Sequence, residues 1–228
     1  MSAKRSKFVV LMSLLLFSCA ARAGEVIDAI VATVNGHIIL LSDWDDAVRL
    51  EAFLNAHPLE QLKAEDRKSA LDHLIDQELL REQLPHSATY ITQEELAERI
   101  AQIRRLYPAA KTDLAWRAVL SQYGITQTSL EGYLEMQINL MRQVDTRFRP
   151  SVDIDSRSIE SYYNQELLPQ LRQAGTGDVP MAEAIARIKE LLTQRKMSEM
   201  LTAWLQNLRA GSDIHSDLTS SHLSEQSR

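Results

Sequence analysis

The stretch Val26–Asp46, VIDAIVATVNGHIILLSDWDD, decides the fold of this chain. Ile27, Ala29, Val31 and Thr33 alternate with Asp28, Ile30, Ala32 and Val34 in a short, β-branched run. Asn35-Gly36 follows, two residues that tolerate positive φ as a type I′ turn requires. A second run, His37–Leu41, completes the pattern of a β-hairpin. Ser42-Asp43 then reads as a helix N-cap with acids in the first turn. Nothing after this point reads as a strand. One hairpin in front of a helical chain defines a mainly α fold.

The residues before the hairpin read as a secretory signal, 1–23. Lys4, Arg5 and Lys7 precede an apolar run, Phe8–Phe17, broken only by Ser13, and Ala21-Arg22-Ala23 is an A-x-A cleavage site. That run is too short to stay in a bilayer as a spanning helix. Cleavage after Ala23 leaves a mature chain beginning at Gly24, which is exported. Cys19, the only cysteine, lies inside the signal. Leu16-Phe17-Ser18-Cys19 resembles a bacterial lipobox, but Phe17 fits poorly where a small or aliphatic residue is usual. Lipidation at Cys19 is therefore the alternative to cleavage at Ala23. Without it the mature chain carries no thiol, which suits an oxidising compartment.

The signal removes Lys4, Arg5, Lys7 and Arg22 from 25 basic residues and none of 31 acidic ones. The mature chain then has 21 basic and 31 acidic residues, a net charge of −10. No basic stripe remains to bind nucleic acid or an anionic membrane. Seven glycines and six prolines are few for this length and favour helices.

Apolar spacing marks the helices in order. Asp43–Asn55 carries Trp44, Ala47, Val48, Leu50 and Leu54, with Phe53 beside them, and Pro58 follows. Gln61–Leu84 is a long second helix stopped by Pro85. Thr92 and Glu95 form a capping box that opens a third. Leu114–Tyr123 is closed by Gly124. Thr128 and Glu131 cap a fifth helix that runs towards Arg147, and Asp155 starts a sixth. Gln173–Pro180 is a polar, Gly-containing loop. Met181–Ala210 is a long final helix ended by Gly211, and residues 215–228 read as a disordered tail.

No catalytic constellation emerges. The histidines lack the i, i+4 spacing of a zinc helix, and no Walker loop, G-x-S-x-G or G-x-G-x-x-G occurs. His73 and Asp76, one turn apart, read as a solvated face. Carboxylate pairs such as Asp45/Asp46 and Glu94/Glu95 sit where a helix dipole favours them. No metal, cofactor or catalytic residue is assigned. What remains is apolar surface: Met136, Met141, Met197 and Met200, with Trp116, Trp204, Tyr162 and Tyr163. Methionine is common on surfaces that accept many sequences. Most of these side chains belong to the core, and some line a groove if the protein binds anything apolar.

These residues together resemble the SurA-type periplasmic chaperones, whose helical module is also related in shape to part of trigger factor. The hairpin matches the pattern V-x-x-x-V-N-x-x-x-I-x-x-S-D through Ile30–Val34, Asn35, Ile39, Ser42 and Asp43. Leu71–Gln83 looks like the long second helix, and Ile91–Glu95 and Tyr123–Thr126 like later helix starts. Val152, Asp155, Ile159 and Tyr162-Tyr163 are similar to the helix that leads into an isomerase domain. Arg187-Ile188, Leu191-Leu192, Arg195-Lys196, Trp204-Leu205 and Leu208-Arg209 resemble the C-terminal helix.

The resemblance implies a multi-helix chaperone core, 24–214, with an N-terminal module (24–172) and a long C-terminal helix (181–214) packing back on it. It departs from full-length relatives at 173–180. There a short loop stands where one or two parvulin-type prolyl isomerase domains would be inserted, so isomerase activity is not expected. The implied function is ATP-independent holding of unfolded exported polypeptides, outer-membrane proteins in particular. The groove is expected between the N-terminal helices and the last helix, lined by Trp44, Phe53, Met136, Leu140, Met197 and Trp204. The alternatives are a dedicated periplasmic assembly or adaptor protein and, disfavoured, a prolyl isomerase.

Overall fold

A computed structural model describes residues 28–83 and 90–216. The signal with Cys19, Val26-Ile27, Leu84-Pro85 and residues 217–228 of the tail lie outside the described residues.

Strands β1 (Ile30–Val34) and β2 (His37–Leu40) pair antiparallel, with Val34 opposite His37. Asn35 and Gly36 have φ of 49° and 85°, the two positive values a type I′ turn demands. Gly36→Val, which places a β-branched side chain at such a φ, should cost about 1–2 kcal/mol. Chemical denaturation would read that loss as a lower midpoint with unchanged slope. A bulge between Ile30 and Ala32 turns Ile30 outward while Val31, Ala32 and Val34 remain buried.

The sheet has a third strand, which corrects the expectation that none follows the hairpin. β3 (Ile214–Ser216) lies antiparallel along the other edge of β1, giving the order β2-β1-β3. His215 and Ser216 thus belong to the sheet and not to a tail. The cause is the open edge of β1, whose unpaired backbone groups accept any chain delivered there. Asn35 fixes the register: its N–H donates to the Asp213 carbonyl (2.8 Å), and its side-chain oxygen accepts from the Asp213 N–H (2.9 Å).

Helix α1 (Leu41–Leu54) starts two residues before the expected Asp43. Its N-cap is Leu40, and Asp43, at the third helical position, accepts the Leu40 N–H at 3.0 Å. Ser42 serves a different bond, its hydroxyl donating to Asp28. Pro58 opens a 3₁₀ turn, Leu59–Gln61, so α2 (Ala64–Gln83) begins later than Gln61. α3 (Gln93–Arg104) is capped by Thr92, which accepts the Glu95 N–H at 3.2 Å. The reciprocal half of the expected capping box is absent, because the Glu95 carboxylate accepts instead from Arg142 (2.6 Å).

α4 (Asp113–Gln122) is capped by Thr112 and ends near Gly124, φ +67°. α5 (Gln127–Phe148) is capped by Thr126 with Ser129, not by Thr128 and Glu131. Asp155 caps α6 (Ser156–Tyr162), accepting the Ser158 N–H at 2.6 Å. A π-helical turn, Tyr163–Leu167, connects it to α7 (Leu168–Gln173). α8 (Met181–Gly211) is the long final helix.

Packing proceeds in linked cores. The hairpin, α1 and α2 enclose Val31, Val34, Trp44, Val48, Leu71 and Leu79. Phe53 centres a second core with Trp116, Leu120, Leu130 and Leu134. α8 packs on α5 through Val144, Phe148 and Trp204, and on α6 through Ile159 and Ile188. Arg209 fastens its C-terminal end to α2, donating to Asp76 (2.6 Å) and to the Asp72 carbonyl (2.8 Å). The expected long helix packing back on the N-terminal module is therefore present. Among the described residues no helix is long and apolar enough to cross a membrane.

Candidate functional site

Three helices leave a cavity of about 310 Å³ between them. α1 contributes Ala47, Leu50 and Glu51; α2 contributes Ala70, His73, Leu74 and Gln77; α5 contributes Ser129, Tyr133 and Met136. Each set follows three- and four-residue spacing, so one face of each helix meets the space. Ile125, just after the αL turn at Gly124, closes one end. At that glycine the Arg49 stem lies 3.6 Å from where a Cβ would stand.

The wall is apolar and the rim polar. Asp46 pairs with Arg49 at 2.5 Å, and His73 Nδ1 meets Glu51 at 2.8 Å. Gln77 Nε2 donates to Met136 Sδ at 2.8 Å. Burial and then the Glu51 charge push the Tyr133 phenol above its ordinary range, with Arg99 opposing. The phenol therefore remains a neutral donor at physiological pH. Ser129 is tied into the α5 cap, its hydroxyl donating to the Thr126 carbonyl (2.9 Å). Among the described residues no group of three His, Cys, Asp or Glu could hold a metal ion. The arrangement can receive an apolar group and hydrogen-bond what lies beside it.

A wider and more charged depression of about 740 Å³ lies between α3 and α5, around Glu95, Arg99, Met141 and Arg142. Glu95 and Arg142 pair across it at 2.5 Å.

The six expected groove residues do not come together. Met136 lines the cavity and is 40 % exposed. Trp44 and Phe53 are each 0 % exposed, which corrects their expected place on an open groove. Trp44 sits in the first core, its indole N–H donating to the Arg67 carbonyl at 2.8 Å. Phe53 is ringed by Tyr107, Trp116 and Tyr123. Leu140, Met197 and Trp204 pack against one buried cluster, Leu80, Val144 and Phe148, where α8 meets α5, with Trp204 edge-on to Phe148 at 5.5 Å. The space expected between the N-terminal helices and the last helix is thus filled by the chain's own side chains. α8 contributes nothing to the cavity.

Sequence reasoning missed Gln77, Tyr133 and Ile125. The spacing of Ala70, Leu74 and Gln77 marks one face of α2, but not which helices that face meets.

The fold and cavity define a mainly helical, hairpin-led module with a small apolar-walled space between three of its helices. A family-level match to the SurA-like N-terminal domain spans residues 5–144, and the chain belongs to that chaperone-type family. The match ends inside α5 and includes every residue of the cavity, whereas α6, α7 and α8 lie beyond it. No curated protein matches the chain.

Proposed function

We propose that this chain is an ATP-independent periplasmic chaperone that holds unfolded exported polypeptides, outer-membrane proteins among them. An apolar side chain of an extended segment enters the cavity between α1, α2 and α5. One observation carries this reading: the part of the chain matched by the family contains an apolar-walled space that its own side chains leave open. Its volume is at the small end for ligand pockets, enough for a single large side chain. Burying that side chain contributes about 1.5–3 kcal/mol before ordering costs. Weak, reversible holding follows, strengthened when several segments of one client engage several copies.

Isomerase activity forms no part of the proposal. Only residues 174–180 connect α7 to α8, seven residues where a parvulin domain would need a span of domain size. The net charge of the mature chain keeps client complexes soluble. Export rests on the signal-like residues 1–23.

The purified protein should delay aggregation of several unrelated unfolded outer-membrane proteins at near-stoichiometric ratio. Met136→Glu, which sets a charge at the exposed mouth of the cavity, should cut that protection several-fold while leaving the thermal midpoint in place. Failure to protect any of these clients would sink the chaperone reading, and capture of one folded partner instead would favour an adaptor.

A further inference from the structure

Gln77 is a cavity side chain whose hydrogen-bonding capacity is poorly used. Its carboxamide has two N–H donors and a carbonyl acceptor. Among the described residues its only hydrogen-bond partner is Met136 Sδ, 2.8 Å from Nε2. A thioether is a weak acceptor, and the Gln77 carbonyl oxygen meets no donor there. The neighbouring polar groups are better occupied: Arg49 by Asp46, His73 by Glu51, and Ser129 by Thr126. Gln77 is half-buried, so bonds made there are less diluted by water than on an open surface.

We infer that Gln77 binds the main chain of the held polypeptide, pairing through its carboxamide with the N–H and C=O of one residue next to the side chain that fills the cavity. This inference rests on the chaperone reading. A planar carboxamide presents an N–H and a C=O side by side, the complement of the C=O and N–H that one residue of an extended chain points to the same edge. In an extended segment alternate side chains point to opposite sides. One residue can therefore enter the apolar space while the adjacent backbone stays at its rim. The peptide carbonyl takes the Gln77 Nε2 donor from Met136, and the peptide N–H donates to the Gln77 carbonyl. Met136 keeps the donor partnered in the empty state and gives it up at small cost.

Two consequences follow. Contact with the backbone is independent of sequence, which is how a single small cavity can accept many clients. Proline at the position facing the Gln77 carbonyl is rejected, because it has no N–H.

The test uses the full-length mature protein and fluorescence anisotropy with a labelled, extended serine-rich peptide carrying one central leucine. Analogues replace single amides around the leucine by esters, which removes one N–H at a time. One ester should weaken binding to the unaltered protein by about three- to tenfold, the scale of one hydrogen bond. Gln77→Leu, which removes both bonds, should bind the parent peptide at least as weakly as the unaltered protein binds that ester, and should no longer distinguish the two. A uniform response to every ester, or unchanged parent affinity in Gln77→Leu, overturns the assignment to Gln77 while leaving the chaperone reading standing. No binding of any peptide by the folded, unaltered protein overturns both.

Discussion

Phe53→Ala should lower the stability of this protein by about 3–5 kcal/mol, read as a fall in the urea midpoint at constant slope. The ring is 0 % exposed and stacks on Tyr107 with centroids 5.2 Å apart and planes 13° apart. Trp116 and Tyr123 close the remaining sides at 5.7 and 5.5 Å. Truncation removes the transfer energy of the ring and leaves a hole that three rigid aromatics cannot collapse into. Tyr107 also donates its hydroxyl to the Phe53 main-chain carbonyl, so the shape of the cluster is held from both sides. Against a typical total of about 5–15 kcal/mol, the loss is large enough to populate the unfolded state. A groove residue would behave oppositely, sparing stability and removing client protection. A near-unchanged urea midpoint for Phe53→Ala would contradict its place in the core.

The second large effect is expected at Trp204. Its ring packs edge-on against Phe148 and lies under the Arg147 guanidinium, 4.3 Å from the centroid. It is only half-buried, so Trp204→Ala should cost about 2–3 kcal/mol, below the range for a fully enclosed ring. The loss falls on the packing of α8 against α5, and the neighbouring attachment at the end of α8 should loosen with it. Hydrogen exchange in β3 should therefore rise more than in β1, which retains β2 as a partner. Client protection below the melting transition should persist, because α8 does not line the cavity. Loss of protection in folded Trp204→Ala would return the binding role to the α5–α8 face.

The hairpin and the helix order were legible because local chemistry determines them. Asn35-Gly36 is specific for its turn, and prolines and glycines punctuate the helices. Capping residues were harder to place where candidates crowd together. Thr126 and Thr128 both suit an N-cap, and only the Ser129 bond selects the first. β3 was hidden because Ile214–Ser216 is too short to show a period, and its pairing depends on where α8 ends. The resemblance to SurA-type proteins found the family through the hairpin and α2.

The candidate site was less legible than the fold. A buried aromatic and a binding aromatic are alike in sequence, so Trp44 and Phe53 read as groove residues although both are enclosed in the cores. Met136 stands out in the sequence as an adaptable apolar side chain, and it lines the cavity. Gln77 is an ordinary helix residue whose significance lies in its weak partner, and that partner is 59 residues away.

An extended client segment held between α1, α2 and α5 would lie within reach of position 136 on the cavity wall. Site-specific photocrosslinking to an unfolded outer-membrane protein tests this placement most directly. The photoreactive residue is placed at position 136 or at position 191, which is exposed on α8 away from the cavity. Strong crosslinks are expected from 136, lost on competition with excess unlabelled client, and few from 191. Equal crosslinking from both positions, or crosslinks from 191 alone, would contradict this placement.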